Sequence, residues 1–184
     1  MKIITTLALC FSFFFKSYAT EDNKPLIYYP IYCHQLTAFT CLGSELELED
    51  GSLWEVNPVD SHKVFLWSTN DPLVIYPVKN VFSSYNYKIK NLSAKESDFV
   101  EVNMEKASVD TKNTLKIDSL DYENNEIILS DESTWKVNLW DTNHKDWLIG
   151  DYIIIGLNEA SLLSSDKFIL INTSVNSYIR INPK

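Results

Sequence analysis

Glu47–Asn57 reads ELEDGSLWEVN, and Ile128–Asn138 reads ILSDESTWKVN. Asp50, Ser52, Trp54, Val56 and Asn57 recur as Asp131, Ser133, Trp135, Val137 and Asn138, each 81 residues further on. The correspondence extends outward on both sides. Asp60 returns as Asp141, and Trp67 and Asp71 return as Trp147 and Asp151 with one residue lost. Phe82-Ser83-Ser84 returns as Leu163-Ser164-Ser165, and Tyr87, Ile89 and Asn91 return as Phe168, Leu170 and Asn172. Phe99–Asn103 matches Tyr178–Asn182. Self-similarity at a fixed period marks a duplicated structural unit.

The opening stretch also fixes the kind of unit. Leu46 and Leu48 alternate with acids, Asp50-Gly51-Ser52 supplies a turn, and Trp54 and Val56 alternate with Leu53 and Glu55. A two-residue loop would place Glu47 opposite Trp54. An odd-length loop puts Leu46, Leu48, Trp54 and Val56 on one face, and a type I turn with a left-handed Gly51 as bulge has that geometry. In the second copy Glu132 replaces the glycine, so its turn is expected to be strained or built differently. Further strands are expected at Leu36–Cys41, Val64–Trp67, Leu73–Tyr76, Tyr85–Lys90 and Phe99–Asn103. Their counterparts are Thr114–Asp118, Tyr152–Ile155, Phe168–Ile171 and Tyr178–Asn182.

Short strands with closely spaced turns and no helical periodicity predict an all-β chain of two tandem small antiparallel β-barrel or sandwich modules, SH3-like or similar. The expected layout is a signal peptide at 1–19, an N-terminal aromatic arm at 20–35, a β module at 36–103, a linker at 104–113 and a second β module at 114–184. Each module alone has a marginal core, so the two are expected to pack together.

The leader follows from Met1-Lys2, the apolar run Ile3–Phe15 and the small residues Ser17 and Ala19 around a peptidase site. A transmembrane anchor needs about 20 apolar residues, and Lys16 cuts the run short. The formal net charge is −9, with 16 basic against 25 acidic side chains. Removing Lys2 and Lys16 with the leader makes the remainder more acidic still. Nucleic acid is therefore excluded as a partner, since its binding rests on phosphate neutralisation. No later segment is long and apolar enough to span a membrane. Four glycines, Gly43, Gly51, Gly150 and Gly156, form no phosphate-cradling cluster, so no cofactor is expected.

Candidate site residues are few. Cys33 and Cys41, in an oxidising compartment, read as one disulfide closing a short loop. The alternative, a Cys33-His34 nucleophile or metal pair, lacks further ligands, because His62 and His144 are the only other histidines. Asp60 with His62 recurs as Asp141 with His144, an acid–histidine pair that could serve acid–base chemistry; no G-x-S-x-G nucleophile accompanies it. Asp50, Asp71, Asp131 and Asp151 read as turn carboxylates, and the repeated tryptophans as core. Asn91-Leu92-Ser93 and Asn172-Thr173-Ser174 fit the glycosylation sequon but read better as hairpin ends. Where the copies differ, Trp140 replaces Val59, and the arm with Tyr28, Tyr29 and Tyr32 has no counterpart. These aromatics suit sugar or protein contact, or cover the seam between modules.

The pattern L-x-D-G-S-x-W-x-V, then W-x3-D-x-hydrophobic-x-I, then S-x-x-Y-x-I-x-N, resembles a group of uncharacterised exported proteins from chlamydiae and Chlamydia-like bacteria. Leu48, Asp50, Gly51, Ser52, Trp54, Val56, Trp67, Asp71, Ile75, Ser84, Tyr87, Ile89 and Asn91 carry it. Glu132 and Phe168 are the departures in the second copy. The resemblance covers most of residues 36–182, implies a Gram-negative periplasmic or secreted setting, and names no activity or catalytic residue. The expectation is a non-enzymatic binding protein, whose partner is a protein or an envelope component. The alternatives are a cell-envelope or host-facing structural protein and, third, an envelope hydrolase.

Overall fold

The computed structural model describes residues 30–94, 99–138, 141–159 and 166–184. The leader, Tyr28, Tyr29, Trp140 and Leu163–Ser165 lie outside the described residues. The first module comprises β1 (His34–Phe39), β2 (Glu45–Leu48), β3 (Leu53–Val56), the single turn α1 (Ser61–Val64), β4 (Pro72–Pro77), β5 (Tyr87–Asn91) and β6 (Phe99–Lys106). The second comprises β7 (Leu115–Asp121), β8 (Glu126–Leu129), β9 (Thr134–Val137), β10 (Tyr152–Leu157), β11 (Phe168–Asn172) and β12 (Ser177–Pro183). Each is a closed six-stranded antiparallel barrel, ordered β1-β2-β3-β6-β5-β4 and β7-β8-β9-β12-β11-β10.

The first hairpin has the expected parity. Leu46 pairs with Trp54, and Leu46, Leu48, Trp54 and Val56 are all buried. Gly51 sits at φ +78°, with its N–H donating to the Leu48 carbonyl at 2.9 Å. The second hairpin is built the same way despite lacking the glycine: Glu132 takes φ +67° and donates to Leu129 at 2.9 Å. A left-handed non-glycine residue costs roughly 1–2 kcal/mol. The strain is held in place by the side-chain relay that follows the turn.

That relay explains the repeated D-x-S-x-W. Ser52 donates through its N–H (3.0 Å) and Oγ–H (2.7 Å) to Asp50 Oδ1, and Trp54 Nε1–H donates to Ser52 Oγ at 2.8 Å. Asp131, Ser133 and Trp135 repeat it at 3.0, 2.6 and 2.8 Å. A second repeated clip joins Asp71 to Ser68 N–H and Asn91 Nδ2, and Asp151 to Leu148 N–H and Asn172 Nδ2. Asn91 and Asn172 are fully buried, and their Oδ1 atoms accept from Ser93 and Ser174 N–H. Both sequon asparagines thus end a strand at the hairpin, with side chains buried and engaged.

Two expectations are corrected. Val64–Trp67 is no strand: α1 ends there in tight turns, Leu66 N–H donating to Lys63 O and Trp67 N–H to Val64 O. Val64 and Trp67 are buried while Phe65 and Leu66 are exposed, a spacing of three that suits a helical turn and not a strand. Cys33 and Cys41 are not disulfide-bonded; both are free. They flank the extended β1, which at about 3.3 Å per residue holds their ends far beyond the roughly 7 Å Cα limit for a bridge. Mass spectrometry after alkylation of the native protein should show both Cys33 and Cys41 modified. The exposed Cys41 should react before the half-buried Cys33, whose thiol pKa burial and the Glu49 charge push up. A mass two hydrogens short, with no alkylation, would restore the bridge.

The barrels share a core across their seam. In β10 and β11, Ile153–Ile155 and Ile169–Ile171 are buried without alternation, as for strands covered on both faces. Ile153, Ile155 and Leu170 fill the second barrel, whereas Ile154, Ile169 and Ile171 join the core cluster of the first. Tyr87 and Tyr178 meet edge-on across the seam, ring centroids 5.9 Å apart.

Candidate functional site

Asp60 and Asp141 are structural clips. Asp60 accepts from Lys63 Nζ at 2.6 Å and Glu101 N–H at 3.0 Å; Asp141 accepts from Arg180 N–H at 3.1 Å and Asn143 N–H at 3.4 Å. Each ties the loop after β3 or β9 to the last strand of its barrel. Neither pairs with its sequence-neighbouring histidine. His62 is exposed with Nδ1 against the Val59 carbonyl, and His144 stacks on Tyr122 at 5.9 Å. The acid–histidine pair suggested by the sequence is not assembled in either copy. Tyr32 packs on Phe168 with centroids 5.9 Å apart and lies, partly buried, against the second barrel's core, so this part of the arm covers apolar surface. Among the described residues, no three His, Cys, Asp or Glu converge as a metal site.

The pair that does assemble is His34 with Glu49. Strand register aligns Leu36–Leu48 with Ile117–Leu129, so His34, Gln35 and Glu49 correspond to Leu115, Lys116 and Ser130. The backbone junction is conserved between the copies. Glu49 N–H donates to Gln35 O at 3.2 Å and Gln35 N–H to Glu49 Oε2 at 2.7 Å; Ser130 N–H donates to Lys116 O at 2.9 Å and Lys116 N–H to Ser130 Oγ at 3.1 Å. Serine suffices to close a barrel. The longer carboxylate of Glu49 also reaches His34 Nδ1 at 3.0 Å, while His34 Nε2 lies 2.8 Å from the Ile155 carbonyl of the second barrel.

His34 is buried, which alone would lower its pKa, but the hydrogen bond and charge of Glu49 outweigh burial and raise it. Burial would likewise raise the Glu49 pKa; His34 and the Gln35 amide bring it down instead. Around this pair the seam is open. A cavity of about 170 Å³ is lined by Ile31, His34, Glu49, Leu115 and Ile153–Ile155, and a polar cleft of about 250 Å³ by Cys33, Gln35, Glu49 and Asn113. Glu49 and Asn113 line both.

Against protein-family models, curated proteins and solved structures, the chain finds no match. The seam geometry therefore carries the functional reading by itself.

Linker residues complete the seam. Ser108 Oγ–H donates to Asp50 Oδ2, its N–H to Thr173 Oγ1 at 3.3 Å, and Val109 N–H to the Asp50 carbonyl at 2.9 Å. Asp50 is consequently 3% exposed, whereas its counterpart Asp131 faces solvent. Asp50→Ala should cost about 2–3 kcal/mol and Asp131→Ala about 1 kcal/mol, because only the former strands a buried linker donor, the Ser108 hydroxyl. Urea unfolding of the two variants measures the difference; equal losses would show that the linker contacts add nothing.

Sequence comparison between the copies could have found His34 and Glu49. His34 has the core-facing parity of Leu36, yet it is polar, and its counterpart is Leu115. Beginning the first module at Leu36 left that comparison one step short.

Proposed function

We propose that the protein is exported and acts without catalysis, by binding a partner molecule in the cleft at the seam of its two barrels. The observation that carries this reading is the meeting of a polar cleft and a partly apolar cavity at Glu49 and Asn113, beside the residues that distinguish the copies. Pockets that join apolar walls to a few convergent polar groups suit small ligands or short peptide segments. A catalytic role is weakly supported there. Both ring nitrogens of His34 are engaged, so it offers no free base, and the Cys33 thiol is held protonated by burial and the adjoining carboxylate. Export rests on the leader at 1–19, and the resemblance to exported chlamydial proteins supports a periplasmic or secreted setting.

The test is a fragment-library screen followed by amide NMR shifts. Hits should perturb Gln35, Glu49, Asn113 and Leu115, and Asn113→Trp, which fills the cleft, should abolish them. Shifts confined to other surfaces, or none, would remove the seam as the site.

A second reading, an envelope or host-facing structural protein, draws on one observation. Val81 and Phe82 in the β4–β5 connection are 88% and 93% exposed, an apolar tip left open by the described residues. Fractionation and crosslinking separate the two readings: a soluble periplasmic monomer supports binding, and a detergent-resistant assembly supports structure.

A further inference from the structure

We propose that the His34–Glu49 pair is a pH-sensitive latch that fastens the first barrel to β10 of the second, closing the seam while His34 carries both ring protons. The argument begins with hydrogen-bond roles. The Ile155 carbonyl can only accept, so Nε2 must bear a proton. Glu49 accepts the Gln35 N–H at 2.7 Å through Oε2, and its carboxyl is held below its ordinary range, so its Oε1 meets the ring as a carboxylate oxygen and Nδ1 donates to it. A neutral imidazole has one N–H and satisfies only one of the two. Loss of the proton leaves either the carboxylate or the carbonyl without its donor at a buried junction, and the junction opens.

Among the described residues, none around the ring is placed to take over. From the β2–β3 turn, Glu49 and Asp50 face the ring, and both favour the imidazolium. From β10 come only Ile153, Ile154 and Ile155, from β4 Leu73, and from the segment entering β7 Asn113 and Leu115. Lys112 in that segment is exposed, and Lys116 in β7 is paired with Asp110 at 2.9 Å. Cys33, on the same strand end, has its thiol pKa raised.

The direction of the pH dependence follows. His34 is raised above its ordinary 6.5, so its contribution is complete below that pH and is lost as pH rises through the higher folded-state value. Glu49 is lowered from 4.5, so its contribution is present above that pH and is lost only as pH falls through the lower value. The latch is closed between these limits and opens on the alkaline side. The second barrel shows that the pair is not required for closure, since Leu115 and Ser130 stand in its place.

The latch rests on the reading of the seam as a binding site for its purpose, but its test needs no ligand. In the purified protein, the His34 ring should titrate above 6.5 by NMR, and Glu49→Gln should lower the midpoint by about one pH unit or more. Amide exchange along β10, corrected for intrinsic base catalysis, should rise about tenfold across that titration. In the double variant His34→Leu/Glu49→Ser, which copies the second barrel, the step should vanish. A midpoint unmoved by Glu49→Gln, or identical β10 exchange profiles in wild type and double variant, would overturn the latch. Should the double variant fail to fold, the Glu49→Gln titration decides alone. A closed latch without fragment shifts in the cleft would instead count against the seam as a binding site.

Discussion

Trp54→Ala is expected to destabilise the protein by about 3–5 kcal/mol, the range for deleting a fully buried large aromatic. Trp54 is wholly inaccessible and packs edge-on against Tyr87, ring centroids 5.4 Å apart. Its indole N–H donates to Ser52 Oγ, whose own proton goes to Asp50. Truncation therefore opens a cavity and strips a buried hydroxyl of its donor. The damage should also travel, because Tyr87 continues to Tyr178 in the second barrel. Trp135 differs: it packs on Phe168 within its own barrel, and its relay ends on an exposed aspartate. Urea unfolding followed by far-UV circular dichroism measures the loss. Trp54→Ala should lower the midpoint for the whole chain, and Trp54→Phe should recover most of the loss while leaving about 1 kcal/mol for the missing hydrogen bond. A Trp54→Ala loss under about 1 kcal/mol would mean that the barrel core closes over the gap.

Much of the architecture was legible because it lies in local rules that a duplication repeats. The hairpin parity of Leu46, Leu48, Trp54 and Val56 could be derived from side-chain alternation and one glycine. The turn aspartates were legible as turn formers, though not as parts of relays, since a relay requires knowing that Trp54 and Ser52 share a face. Val64–Trp67 misled because four apolar residues in a row carry no period; only burial distinguishes a helical turn with Val64 and Trp67 inside from a strand. Cys33 and Cys41 misled in another way. Their sequence proximity suggested a loop, but the residues between them form an extended strand, and extension separates what sequence counting brings together. The His34–Glu49 site was only half legible: comparing the copies marks both residues, but not what they bind. Its decisive partner is a backbone carbonyl at Ile155, in the other barrel, and a carbonyl has no sequence signature.

Gly156→Ala is the second large effect expected, and its sign runs against the usual one. Glycine within a strand normally costs roughly 0.5–1 kcal/mol relative to alanine, so the substitution should stabilise an ordinary sheet. Here β10 lies against β4, and a Cβ on Gly156 would sit 2.6 Å from the Ile75 carbonyl oxygen and 2.9 Å from Ile169 Cγ1. A backbone oxygen held in the β4 ladder cannot swing aside as a side-chain tip could. The barrels must separate at this point. Overpacking of this kind costs about 1–3 kcal/mol, and the loss falls on the seam, since each barrel keeps its own ladder. Ile75 and Ile155 are counterparts in the two copies, and the seam treats their carbonyls differently: one receives the His34 N–H, the other faces the bare Cα of Gly156. Moving β10 away from β4 therefore also strains the His34 contact one residue upstream. The expected result is a broadened or two-step urea transition in Gly156→Ala, together with faster β10 amide exchange even at pH 6, where the latch is closed in the wild type. A single transition at or above the wild-type midpoint would show that the seam yields without cost, and that the two barrels are held together elsewhere.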